Sequence, residues 1–429
     1  MRDYELIVIG SGPSGRRAAI QTAKIGKSVL VVEKGRRVGG ASVHTGTIPS
    51  KTLRETVLNL SGWRERGFYG RSYRVKQDIC ADDLLARLHK TLDHEVEVLE
   101  HQFNRNSVKT ARGEGRFVGS HQIEVTDEAG EAHLYNAKNI LIACGTRPFR
   151  PDYVPFNGKT VFDSDEIIEL PVLRRSLTVI GDGVIGVEYA TIFNALDAAV
   201  TLIDTRPTIL DFVDVELIEE FVHDLRDRNL SLRLGSAVTA IELGENGRPT
   251  TKLANGRVVT TEMLLFAAGC VGAVGSLNLG AANITVDNRG RIPVDPKTMQ
   301  TSVPHIYAAG DVIGFPSLAS TSMEQGRVAA CHAFGMAPHP PPEFFPYGIY
   351  SVPEISTVGM SEHERGGSPQ ARDSLRMRLG ALSRNLTRSL HGPQQRHDED
   401  DLFDQDAAPA HHRLFHREHI QLSDACGGL

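Results

Sequence analysis

The sequence predicts an α/β fold in which one strand–turn–helix–strand unit occurs twice. Its 429 residues are enough for two or three domains. One copy of the unit begins near residue 4 and the other near residue 176, and each carries a Gly-x-Gly-x-x-Gly turn between strand and helix. Because each copy is a complete supersecondary unit, the repeat predicts two separate α/β domains.

The first copy has the full pattern of a dinucleotide-binding turn. Residues 4–9 form an apolar run, residues 16–25 repeat apolar positions at helical spacing, and residues 28–32 form a second apolar run. The glycines of such a turn permit the bend, a close approach of backbone N–H groups to a pyrophosphate, and tight packing of the helix on the strand. Those glycines are Gly10, Gly12 and Gly15. Glu33 follows the second strand about 20 residues on, where a carboxylate accepts hydrogen bonds from ribose hydroxyls.

The second copy repeats this pattern and predicts a second dinucleotide. It has a strand over 176–180, a helix over 187–194 and a strand over 199–203, and its glycines are Gly181, Gly183 and Gly186. Asp204, after the last strand, would accept a hydrogen bond from a ribose 2′-hydroxyl and favour NAD. Arg206 would pair with a 2′-phosphate and favour NADP, or would only cap the turn before Pro207. The presence of Asp204 and Arg206 together suits a site that both nucleotides visit in turn.

Composition argues against several classes of partner. The net charge of −6 gives no electrostatic basis for binding nucleic acid or an anionic membrane. No apolar run approaches the ~20 residues that a membrane span requires. The five cysteines have no paired spacing, so they predict neither a metal site nor a redox centre, and scattered thiols fit a reducing cytosol. The first strand begins so early that we expect no signal peptide. We therefore expect a soluble cytoplasmic protein.

Residues 39–51 carry the most specific signal. They read Gly-Gly-Ala-Ser-Val-His-Thr-Gly-Thr-Ile-Pro-Ser-Lys. This segment resembles the active-site segment of the flavin disulfide reductases, Gly-Gly-x-Cys-x-Asn-x-Gly-Cys-Ile-Pro-Ser-Lys. Ser42 and Thr47 stand at the two cysteine positions, and hydroxyls cannot form a disulfide. The chain resembles in this respect the branch of the family that passes hydride between two nicotinamide nucleotides through FAD.

The resemblance implies roles for several residues. FAD would occupy the first turn, and NAD or NADP the second. Lys51 would lie beside the flavin N5 and stabilise negative charge on the reduced ring, and Glu188 would pair with Lys51. Asp311, in a segment over 301–312 that matches the second flavin motif, would accept a hydrogen bond from the ribityl chain. Gly145 belongs to a strand that closes the first half of the flavin domain in this family.

Other positions are more ambiguous or depart from the family. His44 is either a proton donor or, more simply, a structural residue. Cys144 takes a position that is Thr in the family, and we interpret it as a small buried thiol. Cys270 follows Gly269 where the family has an arginine near the nicotinamide site. A helix over 320–334 would direct its N-terminal dipole at the flavin's pyrimidine edge.

The resemblance also implies domain boundaries. The FAD-binding domain would comprise 1–149 and 267–340, interrupted by an NAD(P)-binding domain over 150–266. Residues 341–364 would be the remnant of a dimerisation domain, and 365–429 a non-matching tail. The predicted fold is thus two interleaved Rossmann-like domains for FAD and NAD(P), plus a truncated α+β dimerisation domain.

The tail from residue 365 departs from the globular composition of the rest. It contains no Val, Tyr, Trp or Lys, which predicts disorder. It also resembles a coding frame read out of register, and a purposeful disordered segment is the alternative. The family forms homodimers or higher oligomers through the dimerisation domain. A chain lacking most of that domain is expected to be monomeric or poorly soluble, with low or no turnover.

The predicted activity is reversible hydride transfer between NADPH and NAD⁺ through FAD. Two alternatives stay open on the sequence alone. One is a flavin-dependent NAD(P)H oxidase or diaphorase, which also needs no disulfide. The other is an inactive remnant that binds flavin or nucleotide without turnover.

Overall fold

The computed structural model describes residues 2–337 and 345–359. Its strands are β1 (Arg2–Ile9), β2 (Val29–Glu33), β3 (Lys109–Arg112), β4 (Glu114–Gly119), β5 (Gln122–Thr126), β6 (Ala132–Ile142), β7 (Thr146–Pro148), β8 (Val161–Phe162), β9 (Ser176–Ile180), β10 (Ala199–Ile203), β11 (Ser231–Arg233), β12 (Val238–Leu243), β13 (Pro249–Leu253), β14 (Val258–Thr260), β15 (Met263–Phe266), β16 (Cys270–Gly272), β17 (Ile306–Ala308), β18 (Pro346–Ile349) and β19 (Ile355–Val358). Its α-helices are α1 (Pro13–Lys24), α2 (Ala41–His44), α3 (Thr47–Leu60), α4 (Arg66–Tyr69), α5 (Ala81–Arg105), α6 (Val184–Ala195), α7 (Val215–Asp227) and α8 (Ala319–Ala333).

The first sheet contains the first glycine-rich turn. Its strands run in the order β3-β2-β1-β6-β5-β4, and β17 also pairs with β6. Strands β3, β2, β1, β6 and β17 are parallel, whereas β4 and β5 add an antiparallel edge. Both faces of the inner strands are buried, which accounts for the continuous apolar runs in their sequences.

The second sheet contains the second glycine-rich turn. It is parallel throughout, in the order β11-β10-β9-β15-β8. An antiparallel sheet of β12, β13 and β14 lies between β11 and β15 along the chain. The short antiparallel pair β7 and β16 comes from the two connections between the large sheets. The predicted α/β fold class is therefore confirmed, and the domain boundaries stay a prediction.

The helices begin and end close to the predicted limits, with informative differences. α1 and α6 begin directly after Gly12 and Gly183, earlier than the apolar spacing predicted. In α1 the first helical residue is Pro13, whose fixed φ suits that position. α5 begins at Ala81, directly after a capping box between Cys80 and Asp83. No helix within the described ranges is both long and apolar enough to cross a membrane.

A hairpin of β18 and β19 follows α8 in the described chain. Within the predicted remnant over 341–364, the structure has two strands joined by a turn at residues 350–354. The predicted tail over 365–429 lies outside the described residues.

Candidate active site

The first glycine-rich turn forms a cradle that only glycine permits. Gly10 has φ +104°, and a Cβ there would lie 2.3 Å from the Ala143 carbonyl oxygen. A Cβ on Gly15 would lie 2.0 Å from the Gly10 carbonyl oxygen, so α1 packs directly on the turn. Gly12, the N-cap of α1, faces open space. Exposed N–H groups at a helix N-terminus in open space suit a pyrophosphate.

Glu33 lies at the end of β2 beside this cradle. Its Oε2 accepts hydrogen bonds from the Ser11 N–H at 2.9 Å and the Ser11 hydroxyl at 2.5 Å. Its Oε1 accepts one from the Gly35 N–H at 2.8 Å. The carboxylate borders a cavity of about 210 Å³ that Arg36 and Phe103 also line. This oriented acid beside a cavity fits the adenosine end of a dinucleotide.

The second turn repeats the first cradle contact for contact. Gly181 has φ +108°, and a Cβ there would lie 2.4 Å from the Ala267 carbonyl oxygen. A Cβ on Gly186 would lie 1.9 Å from the Gly181 carbonyl oxygen, and Gly183 faces open space. Asp204 takes the place of Glu33 at the end of β10. It accepts hydrogen bonds from the N–H groups of Asp182 at 3.0 Å and Arg206 at 2.8 Å.

Arg206 lies directly at this second site. Its guanidinium contacts Asp182, lies 3.4 Å from Oδ1 of Asp204, and lies 3.5 Å from Oδ1 of Asp211. The structure thus places Arg206 in contact with Asp204, and the roles predicted for them in nucleotide binding stay predictions. Asp182 and Asp211 were not predicted. Asp182 could have been noticed as the residue inside the glycine motif that differs in charge from Ser11 of the first copy.

The segment that resembles the family's active site spans α2 and the start of α3. Ser42 donates a hydrogen bond from Oγ to the Gly39 carbonyl at 3.2 Å, and Thr47 is the first residue of α3. His44 contacts the Val38 carbonyl through Nε2 at 3.0 Å. That backbone contact favours the structural interpretation of His44. Lys51 follows one turn into α3.

Lys51, Glu188 and Tyr350 meet where α3, α6 and the hairpin converge. The Lys51 ammonium lies 4.0 Å from the centre of the Tyr350 ring. The buried Glu188 carboxylate accepts a hydrogen bond from the Tyr350 N–H at 2.9 Å. Burial lowers the pKa of Lys51, the charge of Glu188 opposes that shift, and Arg54 adds to it. The charge of Glu188 acts on Lys51, but the two side chains form no ion pair in the described chain, and Tyr350 contacts both of them.

Asp311 and Gly145 follow the paired strands β17 and β6, at the carboxyl end of the first sheet. Asp311 begins a 3-10 turn after β17, and burial raises the pKa of its carboxyl group. Its carboxylate has no hydrogen-bond partner among residues 2–337 and 345–359. Gly145 has φ +67° and faces open space. A partly buried carboxylate without a protein partner in these described ranges fits a hydroxyl-bearing ligand such as the ribityl chain of FAD.

The four cysteines in the described ranges are all free thiols. Desolvation raises the pKa of Cys144 to about 12, and burial also raises that of Cys270. Both thiols therefore stay protonated at neutral pH and are poor nucleophiles. Neither Cys144 nor Cys270 therefore provides the reactive thiolate that the family's disulfide chemistry uses.

The chain is similar to known proteins in sequence and in fold. A sequence model of the family described as pyridine nucleotide-disulphide oxidoreductase matches residues 4–326. The soluble pyridine nucleotide transhydrogenase of Mycobacterium bovis (strain BCG / Pasteur 1173P2) is 50% identical over 365 residues, which are 85% of this chain and 78% of that protein. The protein of the same name from Colwellia psychrerythraea is 38% identical over 363 residues, 84% of this chain and 77% of its own.

Solved structures show the same fold. LpdA from Mycobacterium tuberculosis has a TM-score of 0.77 at 24% identity, covering 84% of this chain and 78% of its own. The flavoprotein disulfide reductase RclA from Escherichia coli has a TM-score of 0.75 at 25% identity, covering 87% of this chain and 80% of its own. The chain therefore belongs to the pyridine nucleotide-disulphide oxidoreductase family, whose members use FAD and NAD(P).

Proposed function

We propose that this chain transfers hydride reversibly between NADPH and NAD⁺ through FAD, without a redox disulfide. The observation that carries the proposal is the pair of matching cradles, each with an open N-cap glycine and an acid at the end of the next strand. One cradle would hold FAD, and the two nicotinamide nucleotides would use the other in turn. The relatives that bear the name soluble pyridine nucleotide transhydrogenase support this assignment.

The chain's own residues would bind and orient the reactants. The N–H groups at Gly12 and Gly183 would hold the two pyrophosphates at the positive ends of α1 and α6. Glu33 and Asp204 would hold the two adenosine riboses. FAD, when bound, supplies a ring that accepts and returns hydride. Lys51, held against Tyr350, would place a positive charge where the resemblance puts the flavin N5.

The absence of a dithiol limits the chemistry to the nucleotides. Ser42 and Thr47 carry hydroxyls, and the raised pKa values of Cys144 and Cys270 keep those thiols neutral. We predict no dihydrolipoamide, glutathione or mercuric ion reductase activity. Two-electron reduction should bleach the flavin without a long-wavelength thiolate-to-flavin band. Disulfide turnover that survives replacement of all five cysteines would contradict this prediction.

The decisive experiment for the proposed function uses NADPH as donor and the thio-analogue of NAD⁺ as acceptor. We expect thio-NADH to form, monitored by its own absorbance, with no oxygen uptake. Oxygen uptake without thio-NADH would assign an NAD(P)H oxidase instead. A purified protein without bound yellow flavin would contradict both enzymatic assignments. The monomeric or poorly soluble state expected of this chain and its cytoplasmic location stay predictions.

A further inference from the structure

The two cradles differ at the residue that follows the first glycine. In the first cradle this residue is Ser11, whose hydroxyl donates to Glu33 and accepts from the Gly39 N–H at 2.8 Å. In the second it is Asp182, whose backbone N–H makes the matching contact with Asp204. The backbone role is therefore the same in both copies. The second copy adds a negative charge that this role does not require.

The Asp182 side chain is fully buried beneath the second site. Its exposed fraction is 0%. Oδ1 of Asp182 contacts the Arg206 guanidinium, whereas Oδ2 has no hydrogen-bond partner in the described chain. A buried carboxylate with one unsatisfied oxygen depends strongly on its remaining cationic partner. Arg206 is that partner.

Arg206 is in turn enclosed by carboxylates. Asp182 contacts it from the glycine-rich turn, Asp204 from the end of β10, and Asp211 from the following loop. Three acids around one guanidinium leave this cluster with a net negative charge. This negative charge would repel the 2′-phosphate of NADP(H), which could bind Arg206 only by displacing a carboxylate. The uncharged 2′-hydroxyl of NAD(H) displaces no carboxylate and can donate a hydrogen bond to Asp204.

We propose that Asp182 is a specificity residue that holds Arg206 away from the 2′-phosphate and so biases the second site toward NAD(H). This inference rests on the proposed function, because it assumes that a nicotinamide nucleotide occupies this cradle. NADP(H) binds only when Arg206 turns from Asp182 to the phosphate, which leaves the buried carboxylate uncompensated. Asp182 thereby weakens binding of the 2′-phosphorylated nucleotide selectively.

The test compares two fragments that differ only in the 2′-phosphate. Adenosine 2′,5′-bisphosphate and adenosine 5′-monophosphate are titrated by calorimetry into the FAD-loaded full chain. The main variant is Asp182→Ser, which copies the first cradle of this same chain and should fold. Asp182→Asn, of nearly unchanged shape, is the second variant. Thermal unfolding and flavin retention establish that each variant is folded.

In both variants we expect affinity for the bisphosphate to rise about tenfold, since Arg206 becomes free for a charge-assisted hydrogen bond. Affinity for the monophosphate should change less than about twofold. Adding Arg206→Leu to Asp182→Ser should remove the gain. The matched control Asp211→Asn removes the same charge from the exposed side of Arg206, and its effect should be several-fold smaller than that of Asp182→Asn.

The outcomes separate this inference from the proposed function. If both fragments bind the wild-type chain and neither Asp182 variant changes their affinity ratio, the inference is wrong and the second site stands. An equal gain from Asp211→Asn would also overturn it, because general charge and not Asp182 would then set specificity. If neither fragment binds any of the proteins, the nucleotide site itself is refuted, together with this inference.

Discussion

At the scale of single residues, Lys51 is the group whose environment has the clearest consequence. Its ammonium is partly buried against the Tyr350 ring, and this desolvation outweighs the attraction of Glu188, so its pKa lies below the usual 10.5. The folded chain therefore releases this proton more readily than the unfolded chain. Between the lowered pKa and 10.5 the unfolded state binds more protons, so stability from this group rises with pH.

The substitution Lys51→Met tests this sign. At pH 7 the variant should be more stable than the wild type, because it no longer buries a charge. Its advantage should shrink as pH approaches 10.5. Urea unfolding at pH 7 and pH 10 measures both. The exposed Lys90 provides the control, since Lys90→Met should change stability by less than about 0.5 kcal/mol at either pH. A variant whose stability relative to the wild type rises with pH would contradict the burial argument.

The same substitution should impair chemistry more than binding. Loss of a preorganised positive charge at the reacting ring typically reduces turnover by about 100-fold or more. We therefore expect Lys51→Met to retain flavin and to reduce thio-NAD⁺ about 100-fold more slowly. Stopped-flow absorbance of flavin reduction by NADPH measures this step separately from nucleotide binding. Unchanged reduction rates would show that Lys51 does not act on the flavin.

The sequence predicted which residues form this site but not all of the contacts that they make. Lys51 and Glu188 could be predicted because each stands within a specific motif. Tyr350 could not be predicted to contact both, because it lies 162 residues beyond Glu188 and its position depends on packing of the hairpin. Likewise, the motif around Gly181 does not indicate that Asp182 points down to Arg206. Side-chain direction within a turn is set by tertiary packing.

At the scale of elements, the hairpin of β18 and β19 is anchored more firmly than its sequence suggested. The remnant of a truncated dimerisation domain would by itself leave a sheet edge with unpaired backbone groups. Instead, the Val352 N–H donates to the Thr191 hydroxyl at 3.0 Å. The Ser351 and Val352 carbonyls accept hydrogen bonds from Arg54 at 3.0 Å and Arg228 at 2.6 Å. The described turn is therefore bonded to α3 and α6, and it keeps Tyr350 over Lys51.

Arg54 is the residue that ties this hairpin to α3. Its side chain is 8% exposed and also pairs with Glu354 at 3.1 Å. Arg54→Met keeps the volume and removes the charged donors, so we expect a loss of about 1.5–3 kcal/mol in the free energy of unfolding. Amide hydrogen exchange should accelerate at Tyr350 and Val352. The control Arg64→Met removes a more exposed guanidinium and should leave those two amides protected. Unchanged protection in Arg54→Met would show that Arg54 does not hold the turn.

Element boundaries show where the periodicity of the sequence fails. The apolar spacing predicted helices that begin after the third glycine of each motif, yet α1 and α6 begin after the second. The glycine motif predicts a turn over the residues between its second and third glycines, whereas the structure already has these residues in the helix, including the apolar Val184 and Ile185 of α6. The helix α3 was not predicted for a related reason. Its first turn contains Pro49 and the active-site motif, which hide the helical pattern that follows.

At the scale of the whole molecule, the two parallel sheets present equivalent edges. Strands β2-β1-β6 of one sheet and β10-β9-β15 of the other have the same parallel order around their glycine turns. This duplication followed from the repeated motif and was therefore predictable. The placement of the antiparallel strands β4, β5 and β12–β14 was not, because short alternating runs do not specify their partners.

The duplication predicts that each site can be blocked without unfolding the chain. A Cβ added at Gly12 or Gly183 meets no protein atom within 4 Å and would instead fill space reserved for a pyrophosphate. Gly12→Ala should therefore lose the yellow flavin and still bind adenosine monophosphate, whereas Gly183→Ala should keep the flavin and lose that binding. Both should unfold within about 1 kcal/mol of the wild type.

Matched substitutions at the third glycines separate the effect of a blocked ligand site from the effect of disrupted protein packing. A Cβ on Gly15 or Gly186 would lie about 2 Å from a carbonyl oxygen of the same turn, so each helix must move away from its strand. Gly15→Ala and Gly186→Ala should therefore lower the unfolding temperature as well as lose the ligand. Absorbance of bound flavin, calorimetry and thermal unfolding of all four variants measure this pattern. Loss of both ligands from Gly12→Ala or Gly183→Ala alone would mean that the two cradles are coupled and do not act as independent sites.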